Sequence, residues 1–171
     1  MLVRALDRAP TLADAWYNLG AIKTAQNATS EGKNAYDKAI KYRPGFVKAE
    51  WASTLALPQI YQSEAQRTDS RAHWRLGLKR ITESPLPKTL NQIQASMAAI
   101  SEITPFALAY QGEDDRDLMS TWGDHISAIV QTAHPTFSTP LTPPPRVRKR
   151  VVFVSAHFRS HTIERLFSNW I

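Results

Sequence analysis

The first 134 residues carry apolar positions that recur every three or four residues, which is the period of helices with one buried face. Trp74, Leu78 and Ile81 form one such stripe. The pattern predicts a mainly α-helical chain in which Ser63 and Thr89 act as N-caps. The expected helices cover about residues 12–26, 29–42, 46–57 and 63–83, followed by one that begins after Thr89 and one that begins at the acidic run 113–117.

The last two predicted helices carry their own apolar stripes. The acidic run 113–117 suits the positive end of a helix dipole, so we interpret it as a solvated first turn, with a metal site as the alternative. His73 and His125 stand among apolar residues and are interpreted as packing or surface residues. The stripes consist of Leu90, Ile93, Met97 and Ile100 in the first helix, and of Leu118, Trp122, Ile126, Ile129 and Val130 in the second.

A segment near the start of the chain returns 34 residues later, since residues 5–10 (ALDRAP) recur as residues 39–44 (AIKYRP). The residues between them resemble a tetratricopeptide repeat, in which small residues let two helices approach and aromatic residues fill the space between them. Thr29 or Ser30 would cap the second helix. A helical hairpin with accidental spacing is the alternative. The matched signature residues are Trp16, Leu19, Gly20, Tyr36, Ala39 and Pro44.

The character of the chain changes near its end. Residues 135–148 are rich in proline and predict a connector between structural units, with a proline-recognition ligand as the alternative. Residues 151–154 (VVFV) are typical of a strand buried on both faces of a parallel sheet, and residues 162–171 predict the helix after it. Because a lone parallel strand cannot satisfy its backbone groups, we expect a fragment that is cut inside a truncated α/β, Rossmann-like lobe.

The loop between this strand and this helix is where open α/β sheets bind ligands. It contains Ser155, His157, Arg159 and His161 but no glycine, which argues against a dinucleotide-binding fingerprint and against a P-loop. The two histidines are separated by the spacing of a zinc motif. However, the His-Glu-x-x-His pattern and a third ligand are missing, so zinc is a weak alternative and we predict no metal.

Composition and charge exclude several classes of protein. The absence of cysteine excludes disulfides, zinc ribbons and thiol catalysis. No apolar run approaches the ~20 residues of a membrane span and no secretory signal is recognisable, so we expect a cytoplasmic protein with no membrane partner. Residues 135–171 hold six of the 21 basic and one of the 15 acidic residues. The net charge is thus a local run at 146–150, flanking the predicted strand, and we expect no nucleic-acid partner.

Three segments together resemble bacterial O-linked N-acetylglucosamine transferases of the SPINDLY-like family. They are residues 55–61 (LALPQIY), 106–112 (FALAYQG) and 150–171, and with the repeat they span nearly the whole chain. The resemblance implies a glycosyltransferase with two Rossmann-like lobes. Such an enzyme transfers a sugar from a nucleotide-sugar to Ser or Thr hydroxyls of proteins, inverts the anomeric centre and needs no metal or cofactor. UDP-N-acetylglucosamine is the expected donor, although fucose donors also occur among relatives.

The resemblance also implies roles for the loop residues. His161 matches the histidine that lines the family's active site, where an imidazole accepts a proton from a hydroxyl or positions it. Packing or capping of the following helix is the structural alternative for His161. Ser155, His157 and Arg159 are the candidate substrate contacts. The donor-binding lobe would lie beyond Ile171, so we predict that the chain alone is inactive.

These observations predict four regions. Glu50, Ser53 and Thr54 replace the signature residues at the next repeat position, so the array ends there. Acceptor proteins or peptides would bind through the repeat groove, where Asn18 is a candidate contact. The alternative function is a non-catalytic tetratricopeptide-repeat module that binds proteins. The regions are the end of the repeat array with a capping helix (1–57), a helical connector (58–134), the proline-rich linker (135–148) and the start of the N-terminal catalytic lobe (149–171).

Overall fold

The computed structural model describes residues 2–138, 155–156 and 161–167, and the chain divides into two compact units, Met1–Thr139 and Pro140–Ile171. Most of the described residues are helical and none of them lies in a strand, which confirms a mainly α-helical chain. No helix within these ranges is long and apolar enough to cross a membrane. The helices are α1 (Leu2–Arg8), α2 (Ala13–Ala25), α3 (Thr29–Tyr42), α4 (Val47–Leu55), α5 (Glu64–Glu83), α6 (Leu90–Glu102), α7 (Arg116–Ala133) and α8 (Thr162–Phe167), with short 3-10 helices at Phe106–Gln111 and Pro135–Ser138.

Helices α2 and α3 form a closely packed hairpin. A Cβ atom on Gly20 would lie 2.5 Å from two ring carbons of Tyr36 and 3.0 Å from the carbonyl oxygen of Gly32. The Tyr36 ring is buried and lies 5.6 Å, centroid to centroid, from the ring of Tyr17. Ala39, which is completely buried, belongs to the same core. Because Gly20 and Ala39 are small, they leave room between the two helices for the rings of the tyrosines.

The turn between α2 and α3 corrects the predicted cap. Ala28, not Thr29 or Ser30, precedes the first turn of α3, and no side chain caps the helix. The Thr29 hydroxyl is instead buried without a hydrogen-bond partner among the described residues. Asn27 adopts a left-handed conformation with φ of 64°, which an Asn tolerates better than most residues. The chain therefore enters the helix one residue earlier than a threonine cap requires.

Helix α4 joins two hydrophobic cores. Its residues Ala49 and Ala52 pack in the core of the hairpin, together with Phe46. Trp51 and Leu55, on another side of the same helix, pack in the second core. The helix ends at Leu55, two residues earlier than predicted, because Ala56 is already extended ahead of Leu57 and Pro58. The second core consists of Trp51, Leu55, Leu57, Trp74, Leu78, Ile81, Ala99, Leu108, Trp122 and Ile129.

The starts of α5 and α6 confirm two predicted caps. The Ser63 hydroxyl accepts a hydrogen bond from the backbone N–H of Gln66 at 3.1 Å. Thr89 forms a capping box, in which its hydroxyl accepts from the backbone N–H of Gln92 and the Gln92 side chain accepts from the N–H of Thr89. The predicted stripe of α6 is wrong at its first position. Leu90 is 69% exposed, because the first turn of the helix precedes its contact with the core.

The second unit is described at only a few positions. Helix α8 agrees with the first part of the predicted helix 162–171. The predicted strand 151–154 and the basic run 146–150 lie outside the described residues, as does most of the predicted linker 135–148. The Rossmann-like lobe therefore stays a prediction.

Candidate functional site

The predicted catalytic loop is described in part. His161 lies immediately before α8, and its carbonyl oxygen accepts a hydrogen bond from the backbone N–H of Arg165 at 3.2 Å. His161 and Ser155 are half-buried. His157 and Arg159 lie outside the described residues, so the clustering of these four side chains stays a prediction.

The repeat-signature residues lie in or beside the hairpin. The indole N–H of Trp16 donates to the carbonyl oxygen of Pro10 at 2.7 Å, and the ammonium group of Lys38 lies 4.1 Å from the centroid of the Trp16 ring. Leu19 is half-buried, and Pro44 is exposed just after the end of α3. Trp16 therefore contacts both the segment before α2, at Pro10, and helix α3, at Lys38.

The candidate groove residue Asn18 is exposed on α2. Its neighbour Tyr17 contacts another part of the same chain. The Tyr17 hydroxyl donates to Oε2 of Glu102, at the end of α6, at 3.0 Å. The ammonium group of Lys48 donates to Oε1 of the same carboxylate at 2.6 Å, and this contact is the main reason that the pKa of Glu102 is lowered. Burial raises the pKa of the Tyr17 hydroxyl, followed by its hydrogen bond to Glu102. The end of α6 thus occupies part of the surface of α2 and α4.

Asn27 connects the turn between α2 and α3 to the loop that follows α4 through hydrogen bonds. Its side-chain oxygen accepts hydrogen bonds from the backbone N–H groups of Gln59 at 2.8 Å and Ile60 at 3.1 Å. Its amide nitrogen donates to the carbonyl oxygen of Ile60 at 2.8 Å. One amide side chain therefore satisfies three backbone groups of a segment about thirty residues further along the chain.

Two of the segments that carry the family resemblance meet in the structure. Gln111, which is 7% exposed, donates from Nε2 to the Tyr61 hydroxyl at 2.8 Å. Its Oε1 accepts from a guanidinium nitrogen of Arg71 at 2.9 Å. The buried amide of Gln111 thus has a partner for its oxygen and one for its nitrogen, and it connects residues 55–61 to residues 106–112.

The acidic run is mostly exposed, in agreement with its interpretation as solvated, but two arginines of α5 also contact it. Arg67 pairs with Glu113 at 2.6 Å and with Glu64. Arg71 pairs with Asp115 at 2.6 Å, and these two side chains are only 12% and 17% exposed. Among the described residues, no group of three His, Cys, Asp or Glu side chains could hold a metal ion. The arginine partners were missed, although the four-residue spacing of Arg67 and Arg71 on one helix was a usable signal.

A cavity of about 430 Å³ lies where α4, α6, α7 and the end of α5 meet. The imidazole ring of His125 lines it, at 6.0 Å from the ring of Trp51. Burial lowers the pKa of His125, so the imidazole is neutral at neutral pH and offers one donor and one acceptor. The cavity could not be found from the sequence, because residues from four separate elements form its walls.

No protein-family model, no curated protein and no solved structure matches this chain. The arginine network and the Asn27 contacts fix one segment against another. Within the described residues, the cavity beside His125 offers apolar and polar side chains to a ligand.

Proposed function

We propose that this chain is the N-terminal part of a protein O-glycosyltransferase, which transfers a sugar from a nucleotide-sugar to Ser or Thr hydroxyls. The observation that carries the proposal is the contact between Tyr61 and Gln111. These residues belong to two separate segments that resemble the SPINDLY-like family, and each segment satisfies a polar group of the other. A partly buried contact between them supports the view that the two segments belong to one unit rather than being two accidental matches.

In this proposal the helical unit ends a tetratricopeptide array and supports the catalytic lobes. His161 accepts the proton of the acceptor hydroxyl, or orients that hydroxyl. The hydroxyl oxygen then forms a bond to the anomeric carbon of the donor sugar with inversion, and the bond from this carbon to the nucleoside diphosphate breaks, so that the diphosphate leaves. UDP-N-acetylglucosamine is the donor, the reaction needs no metal, and the enzyme works in the cytoplasm. The proposal includes that residues 1–171 alone are inactive, since the resemblance implies that a second, donor-binding lobe is needed for the reaction.

The experiment extends the reading frame beyond Ile171 and assays sugar transfer to a peptide that contains Ser and Thr. Alternating strands and helices encoded downstream, and transfer by the extended protein but not by residues 1–171, are the expected results. The variant His161→Ala should lower kcat. His73→Ala is the matched control, since His73 is an exposed residue of α5 whose Nδ1 only contacts the carbonyl oxygen of Asp69, at 2.8 Å. A rate that is unaffected in His161→Ala would remove this residue from the catalytic list.

A non-catalytic protein-binding module is the second candidate. The observation that favours it is that Tyr17 and Lys48 already hold a carboxylate, that of Glu102, on the surface of the hairpin. Ile103 packs beside this carboxylate against the hairpin core. This surface thus accepts an acidic residue followed by an aliphatic one. A stop codon directly after residue 171, together with peptide binding that Asn18→Ala weakens, would favour the module over the enzyme, since Asn18 is the exposed candidate groove residue.

A further inference from the structure

The lining and the volume of the cavity bounded by α4, α5, α6 and α7 are typical of a small-molecule site. Its apolar surface comes from Val47, Trp51, Ile81, Leu86 and Ile129, and Pro85 and Pro87 complete one side. Its volume of about 430 Å³ is within the usual range for sites that hold small organic molecules. The apolar lining provides a surface for a compact hydrocarbon group.

Three polar side chains at the cavity have no polar partner within the described residues. They are the carboxylate of Glu50 and the imidazole of His125, which are half-buried, and the ammonium group of Lys88, which is exposed. Opposite charges that share a cavity without a direct ion pair can be satisfied by one ligand that carries both complementary charges.

A hydroxyl adds to this set. Ser96 lines the cavity from α6, and the residue as a whole is 7% exposed. Its hydroxyl is not one of the fully buried polar atoms that lack a hydrogen-bond partner, so it is in contact with solvent. The cavity therefore offers a solvent-accessible hydroxyl to a ligand as well as the two charged groups.

The wall that carries Lys88 is held in place before any ligand binds. Pro85 and Pro87 restrict the backbone of the segment, and the Gln92 side chain accepts a hydrogen bond from the backbone N–H of Lys88 at 2.9 Å. The same oxygen accepts from the N–H of Thr89 at 3.1 Å. A fixed wall reduces the conformational entropy that binding has to overcome.

We propose that this cavity binds a small zwitterion of the free amino acid class, with its ammonium group at Glu50, its carboxylate at Lys88 and an apolar side chain against Trp51. A purely anionic ligand would face the Glu50 carboxylate, and a purely cationic one would face Lys88. An uncharged apolar ligand would make use of neither charge of the lining. The neutral imidazole of His125 and the Ser96 hydroxyl supply further hydrogen bonds. The assignment is independent of the proposed glycosyltransferase activity.

The test is an NMR titration of the 171-residue chain, following the indole N–H resonance of Trp51, which a Trp51→Phe variant assigns. The probes are leucine and phenylalanine, compared with N-acetylleucine, which lacks the cation, and leucinamide, which lacks the anion. We expect a dissociation constant of about 1 mM or lower for one of the two amino acids. The singly charged analogues should bind about tenfold more weakly, since each leaves one charge of the cavity unpaired.

Substitutions of the cavity residues test the same assignment by changing the protein instead of the ligand. Glu50→Gln and Lys88→Met should each weaken amino acid binding about tenfold. Glu83→Gln and Lys79→Met are the matched controls, because this exposed pair, 3.7 Å apart on α5, lies outside the cavity lining, and both should leave binding unchanged. Absence of any shift at Trp51, equal binding of leucine and its singly charged analogues, or equal effects of the cavity and control variants would each overturn the proposal.

Discussion

Replacing Gly20 by alanine tests the packing of the α2–α3 hairpin most sharply. The added Cβ atom would lie 2.5 Å from Cδ1 and Cε1 of Tyr36 and 3.0 Å from the carbonyl oxygen of Gly32. Tyr36 is 5% exposed and packs against Tyr17, so its ring cannot move into solvent. The carbonyl of Gly32 belongs to the backbone of α3, so relief there requires that the two helices separate.

The expected magnitude follows from two opposing terms. Alanine favours a helix over glycine by about 1 kcal/mol. Overpacking of a filled core costs about 1–3 kcal/mol, and the upper part of this range applies because a buried ring and a backbone oxygen are both contacted. We therefore expect Gly20→Ala to lower the free energy of unfolding by about 1–2 kcal/mol.

Gly123 provides the matched control for this substitution. It lies within α7, and apart from its chain neighbours and the backbone of its own helix no atom lies within 4 Å of the position of a Cβ, so Gly123→Ala should raise the free energy of unfolding by about 0.5–1 kcal/mol. Urea denaturation followed by far-ultraviolet circular dichroism measures both variants, and their midpoints should shift in opposite directions. Equal stabilisation by both substitutions would refute the close approach of α2 and α3 at Gly20.

Two further predictions concern buried polar groups. Arg71→Met should lower the free energy of unfolding by about 2–4 kcal/mol, because it leaves the partly buried Asp115 carboxylate without its cation. Adding Asp115→Asn should recover part of this loss. If the effects of the two substitutions are strictly additive in urea denaturation, the pairing is contradicted. Burial lowers the pKa of folded His125, so the unfolded chain binds the proton first and stability should fall as pH decreases through about 6.5, the ordinary pKa of histidine. In melting curves between pH 7.5 and about 5.5, His125→Gln should make this decrease of stability with pH smaller, and the control His73→Gln should not. The same dependence of stability on pH in His125→Gln and in the unchanged protein would contradict the prediction.

Local signals in the sequence were sufficient where the stabilising contact is itself local. Ser63 and Thr89 cap their helices through residues three positions further along, so the cap and its partner appear together in the sequence. Thr29 fulfils the same local rule but does not cap α3. There Asn27 takes the left-handed conformation and binds the loop at Gln59 and Ile60, which is a tertiary contact.

Longer-range contacts explain the other differences. The acidic run is mostly exposed, as predicted, but its contacts with arginines were missed because these arginines lie more than forty residues earlier, on α5. The periodicity of α6 placed Leu90 on the buried face, but periodicity does not indicate where along a helix the contact with the core begins. The cavity at His125 requires four elements to meet, and nothing in the spacing of Glu50, Lys88 and His125 indicates that they share it.

The contact between Tyr61 and Gln111 also clarifies how the helical unit is built. Asn27 connects the hairpin to residues 59–60, and Tyr61 connects the same loop to Gln111. From there Arg71 reaches the start of α7 through Asp115. A continuous series of polar contacts thus runs from the repeat-like hairpin to the last long helix of the unit. In the proposed enzyme this series would keep the repeat array and the connector in a fixed relation.

Sugar transfer by the protein extended beyond Ile171 tests the central proposal most directly. The measurement is the mass spectrum of a Ser- and Thr-containing peptide after incubation with UDP-N-acetylglucosamine, in parallel with other nucleotide-sugars and without added metal. We predict one sugar on a Ser or Thr hydroxyl, with formation slowed by His161→Ala and unaffected by His73→Ala. A peptide that stays unmodified with every nucleotide-sugar donor would contradict the proposal that this chain belongs to a glycosyltransferase.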